Sequence, residues 1–141
     1  MQNNLPLTMA QIKADIFLVE AAIAEAEKQS SKDAKYIKGQ AGYHLQQAAE
    51  KLIKIQLYAS GQNLNPAKIY KQKLYELIAY AASIGIKLNI PAYIDKNAAV
   101  ISDWEAEGRY DIHVVVKITQ LKKCFEEINA WYDQLFKDGY R

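Results

Sequence analysis

Two residues with phosphate chemistry stand close together in the string Gly108-Arg109-Tyr110-Asp111-Ile112-His113. Arg109 is the one arginine in the chain apart from Arg141, its last residue; the other sixteen basic residues are lysines. A guanidinium presents a planar fork of donors that lysine lacks, so an isolated internal arginine points to bidentate recognition of a phosphate or carboxylate. His113 follows at i+4, and on a helix that spacing places the two side chains on one face. Arginine would hold a phosphate while histidine moves a proton near neutral pH, the two functions that metal-independent RNA cleavage needs. The alternative is structural: Arg109 pairs with Glu105, Glu107 or Asp111 to fix a turn, and His113 begins the next helix.

A second constellation comprises His44, Gln47, Glu50, Lys51 and Lys54. All five fall on one polar arc of a helix, and Glu50 precedes Lys54 in the favourable i,i+4 order. They form either a solvated face or part of a site, with Glu50 orienting Arg109 or His113 and the lysines attracting nucleic acid. Of ten tyrosines, Tyr70, Tyr75, Tyr80 and Tyr93 could stack on bases or pack at a bundle edge or dimer interface. The sequence contains no phosphate-cradling glycine loop, CxxC, HExxH or nucleophile elbow. Two histidines and one cysteine give no metal cluster, so neither metal nor cofactor is expected.

These residues sit on helices. Thr8 to Gln11 reads as a capping box, with Leu7 and Ile12 as a staple, and Ile12, Ile16, Val19, Ile23 and Ala26 repeat at helical spacing. A second helix runs from about Ala34 to Ser60 and stops at Gly61. Its apolar residues cover more than half its circumference, which marks a helix packed against at least two others. Gly39 and Gly42 weaken its first half unless a neighbouring backbone approaches there. Asn65 and Pro66 read as a cap and first helical residue, and a third helix carries Leu74, Leu77, Ile78 and Ala81 to Gly85. Pro91 opens a fourth with Ile94, Ala98, Ile101 and Trp104, ending at Gly108. The last carries Val114, Ile118, Leu121, Phe125, Ile128, Tyr132 and Leu135. The expected fold is all-α, an antiparallel up-and-down bundle of four to five helices in one domain over residues 1–141, with its ordered core at about 8–137.

The chain of 141 residues is long enough to fold without disulfides or metals. Lone Cys124 reads as a packing residue and favours a reducing, cytoplasmic setting. No apolar run approaches the roughly 20 residues of a membrane span, and the first residues lack the pattern of a signal peptide. Charge is unevenly spread: residues 1–27 carry −3, residues 28–73 carry +7 and residues 74–141 carry −2. Such asymmetry suits either a phosphate-bearing partner or a lysine-rich solvated face.

The string Ala41-Gly42-Tyr43-His44-Leu45-Gln46-Gln47-Ala48-Ala49-Glu50-Lys51-Leu52-Ile53-Lys54-Ile55-Gln56-Leu57 resembles the second helix of HEPN domains (higher eukaryotes and prokaryotes nucleotide-binding). Leu74-Tyr75-Glu76-Leu77 is similar to the family's Leu-x-x-Leu segment, without the histidine that often precedes it. Arg109-Tyr110 resembles its late Arg-Tyr element, with Asp111 where proline usually follows. The resemblance spans roughly residues 8 to 137. It implies a helical bundle that often homodimerises and is often paired with a minimal nucleotidyltransferase in toxin–antitoxin or related modules. Arg109 matches the arginine of the family's Arg-x4–6-His RNase motif, but only three residues separate it from His113. On a helix, one residue fewer turns the imidazole by about 100°. The Arg-Tyr subgroup often lacks that histidine, which implies a nucleotide- or RNA-binding protein, non-catalytic or weakly catalytic. Arg109, Tyr110, Lys51, Lys54, Gln47 and His44 are then the contacting candidates. The rival expectations are a metal-independent endoribonuclease using Arg109 and His113 with Glu50 in support, and an interaction bundle without chemistry.

Overall fold

The computed structural model describes residues 7–29, 31–70, 73–104 and 117–141. Their regular structure is all helical: α1 Met9–Lys28, α2 Ser31–Ala59, α3 Pro66–Ile69, α4 Leu74–Ser83, α5 Ala92–Lys96, α6 Ala98–Asp103 and α7 Ile118–Lys137. The capping box at α1 forms as the sequence dictates. Gln11 N donates to Thr8 Oγ1 at 3.3 Å and Thr8 N to Gln11 Oε1 at 2.9 Å. Met9 N also donates to the Arg141 carbonyl at 2.7 Å, which ties the first helix to the end of the chain.

Helix α2 is the centre of the fold. Its Ala41, Leu45, Ala48, Ala49, Leu52, Ile53 and Leu57 are completely buried, and it packs against α1, α4, α6 and α7. The longest seam is with α1, whose Ile12, Ile16, Val19 and Ile23 belong to the same core. Helix α2 begins at Ser31, ahead of the expected start at about Ala34, and beyond its distal end the chain reverses at Gly61, whose φ of 73° suits glycine. At Gly42 the close neighbour is the Trp104 side chain and not a backbone: an added Cβ would stand 3.3 Å from the indole.

Two expected helices divide. The segment expected to run from Asn65 to Gly85 breaks into α3 and α4, each with its own cap. Asn65 Oδ1 accepts from Ala67 N at 3.0 Å, and Lys73 N donates to Glu76 Oε1 at 3.1 Å. The helix expected from Pro91 divides at Asn97, whose side-chain amide donates to the Tyr93 carbonyl at 2.8 Å and so competes with the helical ladder. Seven described helices therefore replace the expected four or five. The ends expected at Gly108 and Val114 lie outside the described residues.

Buried polar side chains join the short elements to the core. Gln56 Nε2 donates to the Asn89 carbonyl at 3.0 Å, and its Oε1 accepts from Asn89 N at 2.8 Å. Trp131 Nε1 donates to the same carbonyl at 2.6 Å, so residues on α2 and α7 hold one strand of loop. Ser102 Oγ accepts from Leu74 N at 2.9 Å and donates to the Ala98 carbonyl at 2.7 Å, which fixes the start of α4 on α6.

Cys124 is fully buried, and burial, with Glu127 nearby, pushes its thiol up to about 12. Two outcomes follow. Leu52→Ala is expected to lower unfolding free energy by ~2–5 kcal/mol in a urea titration, since it empties a fully buried site. Cys124 is expected to resist thiol reagents at pH 8 in the native protein and to react once urea unfolds it. Rapid native labelling would contradict its burial.

Candidate functional site

Asp15 lies three residues after Ile12 and four before Val19, within the apolar stripe of α1. A carboxylate there loses its water and needs partners. It finds two, both from α2. Oδ1 meets His44 Nδ1 at 3.1 Å, and Oδ2 meets Lys51 Nζ at 2.6 Å. His44 and Lys51 are two helical turns apart on one face, and the long lysine stem reaches back toward the N-terminus of its helix. The Asp15 side chain is 11% exposed, against 24% for His44 and 31% for Lys51.

An ionised carboxylate only accepts hydrogen bonds, so His44 must carry its proton on Nδ1. That leaves Nε2 as the acceptor, or as the proton donor when the ring is charged. Tyr43 sets its ring edge-on to the imidazole, with centroids 5.1 Å apart. The result is an oriented imidazole on a fixed carboxylate, with one nitrogen uncommitted by the pair.

Next to it on α2 runs a second polar chain. Lys54 Nζ meets Glu50 Oε2 at 2.8 Å, Gln46 Nε2 donates to Glu50 Oε1 at 3.0 Å, and Gln47 Nε2 donates to Gln46 Oε1 at 2.7 Å. The Glu50 and Lys54 side chains are only 14% and 15% exposed. This arc is therefore a half-buried network and not a solvated face. A groove of about 390 Å³ opens beside it, lined by Leu7, Gln11, Glu50, Lys51, Lys54 and Tyr58.

The expected site residues separate into two groups. His44, Gln47, Glu50, Lys51 and Lys54 come together, but in roles that the sequence had left open. Both lysines are matched by carboxylates, so a phosphate would have to compete for them, and both oxygens of Glu50 are already engaged. Arg109, Tyr110 and His113 lie outside the described residues. Trp104, the last described residue before them, packs on Gly42 of α2. Among the four tyrosines expected to stack, the Tyr80 hydroxyl accepts from Asn65 N at 2.8 Å. Tyr93 lies under Lys123 at 5.7 Å, and burial raises its pKa. Tyr70 and Tyr75 are exposed.

Four residues in or beside this network were not singled out as site candidates in the sequence. Asp15 was counted only as surface charge, although a carboxylate on an apolar stripe was itself a signal. Gln46 faces the network from the edge of the polar arc. Tyr36, exposed, and Tyr43 stand fourteen and seven residues before Glu50, on the polar side of α2, where heptad spacing could have revealed them. Comparison with protein-family models, curated proteins and solved structures gives no match.

Asp15→Ala is expected to cost ~1–3 kcal/mol, less than for a fully buried pair because Lys51 keeps part of its hydration. A double-mutant cycle with Lys51→Ala should show coupling, whereas additive losses would mean that the pair contributes nothing jointly. Gly42→Val is expected to destabilise through Trp104 by more than its helix propensity explains, as read by tryptophan fluorescence and thermal melting.

Proposed function

We propose that this chain is a HEPN-like nucleotide- or RNA-binding protein of the up-and-down bundle type, non-catalytic or weakly catalytic, which homodimerises and works beside a minimal nucleotidyltransferase. The observation that carries the reading is the half-buried polar network on α2, where an Asp15-oriented His44 adjoins Lys51, Glu50 and Lys54. The resemblance of residues 41–57 to the family's second helix falls on this same stretch. A fold that needed only packing would gain little from burying two ion pairs, because their desolvation offsets most of their attraction. A polar network of this kind suits a site that must hold donors and acceptors in fixed positions for a ligand.

In this reading Arg109 makes the specific phosphate contact, with Tyr110 beside it. Trp104 fixes the preceding chain on α2 five residues earlier, a separation that an extended chain spans in at most about 18 Å. Since Lys51 and Lys54 are neutralised, the long-range attraction comes from Lys28, Lys32, Lys35 and Lys38 at the start of the basic segment. Tyr36 and Tyr43 on the polar side of α2 supply faces for bases. The rival endoribonuclease reading is centred on Arg109 and His113; one observation beside it is that His44 Nε2 has no hydrogen-bond partner among the described residues.

Fluorescence anisotropy with a labelled single-stranded RNA tests the proposal. Binding is expected to weaken steeply with salt, to fall at least tenfold in Arg109→Ala and to persist in His113→Ala. Absence of binding at low salt, or indifference to Arg109→Ala, would overturn it. Incubation of RNA in EDTA separates the rival: cleavage abolished by both Arg109→Ala and His113→Ala would establish an RNase.

A further inference from the structure

Helix α1 is apolar on both sides. Its inner face carries Ile12, Ile16, Val19 and Ile23 in the core, yet its outer face exposes Phe17 at 67% and Leu18 at 47%. Ala10, Ala14, Ala21 and Ala24 are exposed around Phe17, at i−7, i−3, i+4 and i+7. A surface helix ordinarily turns charge toward water on that side, and a helix that is apolar all round is covered. A phenylalanine ringed by alanines lets a second helix approach closely.

The charges along this face indicate what covers it. Lys13 stands four residues before Phe17 and Glu20 three after it, both on the edge of α1 that faces α7. Lys13 lies 5.0 Å from the Tyr132 ring of α7. Glu20 lines an apolar groove of about 310 Å³ between the same two helices, with Ala24 and Phe125. Glu20 has no ion-pair partner among the described residues. The order lysine, phenylalanine, glutamate is complementary to its own reverse. When two copies pair antiparallel about a two-fold axis at Phe17, edge meets like edge, so Lys13 of each copy lies beside Glu20 of the other. Ala10 then falls opposite Ala24 at the mouth of the groove.

We propose that the outer face of α1 is the docking surface for a second copy of this chain, with Phe17 packed on Phe17 at the axis and reciprocal Lys13–Glu20 pairs beside it. An isologous contact of this kind closes on itself and makes a dimer and not a fibre. One helix pair plus the groove lies at the small end of specific interfaces, so the dimer is of micromolar and not nanomolar strength. The assignment stands on α1 alone and does not depend on the nucleic-acid reading.

Sedimentation equilibrium from micromolar to submillimolar protein tests it. The wild-type chain is expected to shift from monomer to dimer. Phe17→Asp should remain monomeric, with helical circular dichroism unchanged because the side chain is already exposed. Lys13→Glu and Glu20→Lys should each weaken the dimer at least tenfold, and the double reversal should restore it. A wild-type protein that stays monomeric throughout, or a dimer indifferent to Phe17→Asp and to the charge reversals, would overturn the proposal.

Discussion

The buried carboxylate of Asp15 is the constraint around which the polar half of this protein is arranged. It occupies a core position on α1, where an aliphatic residue would pack without penalty. Its two oxygens fix one ring and one ammonium from α2, and so set the rotation of α2 about its own axis. With that rotation set, the apolar arc of α2 turns to α1, α4, α6 and α7, and the polar arc presents the Glu50–Lys54 chain beside the groove. Packing and site therefore share one interaction.

Electrostatics changes the meaning of the basic segment. Read as a list of charges, residues 28–73 offer a positive surface. In three dimensions Lys51 and Lys54 are internally compensated, and what they contribute is position. A cation held against a carboxylate presents a defined hydrogen-bond pattern, whereas a free lysine presents only charge. The basic charge outside these two pairs includes Lys32, Lys35 and Lys38 at the start of α2, while the groups further along the helix are held in fixed positions by one another.

Much of the architecture was legible because it rests on local rules. The Thr8 capping box, the α1 stripe, the broad apolar arc of α2, the stop at Gly61 and the α7 repeat all arise from spacing within one element. The division at Asn97 was not legible, because the apolar period of Ile94, Ala98 and Ile101 continues across it while the Asn97 side-chain amide adds its own bond to the Tyr93 carbonyl. The site was legible in part. The polar arc of α2 named its own members, but Asp15 comes from a residue 29 positions before His44, and only tertiary packing joins them. Gly42 needed the same packing, since nothing local announces that Trp104 fills its missing side chain.

The tautomer of His44 tests the Asp15 clamp most directly. Long-range proton–nitrogen NMR correlations of the neutral ring distinguish a proton on Nδ1 from one on Nε2. A ring protonated at Nδ1 in the wild-type protein, reverting to a mixture of tautomers in Asp15→Ala, is the expected result. A wild-type ring protonated at Nε2, or a tautomer unaffected by removing Asp15, would contradict it.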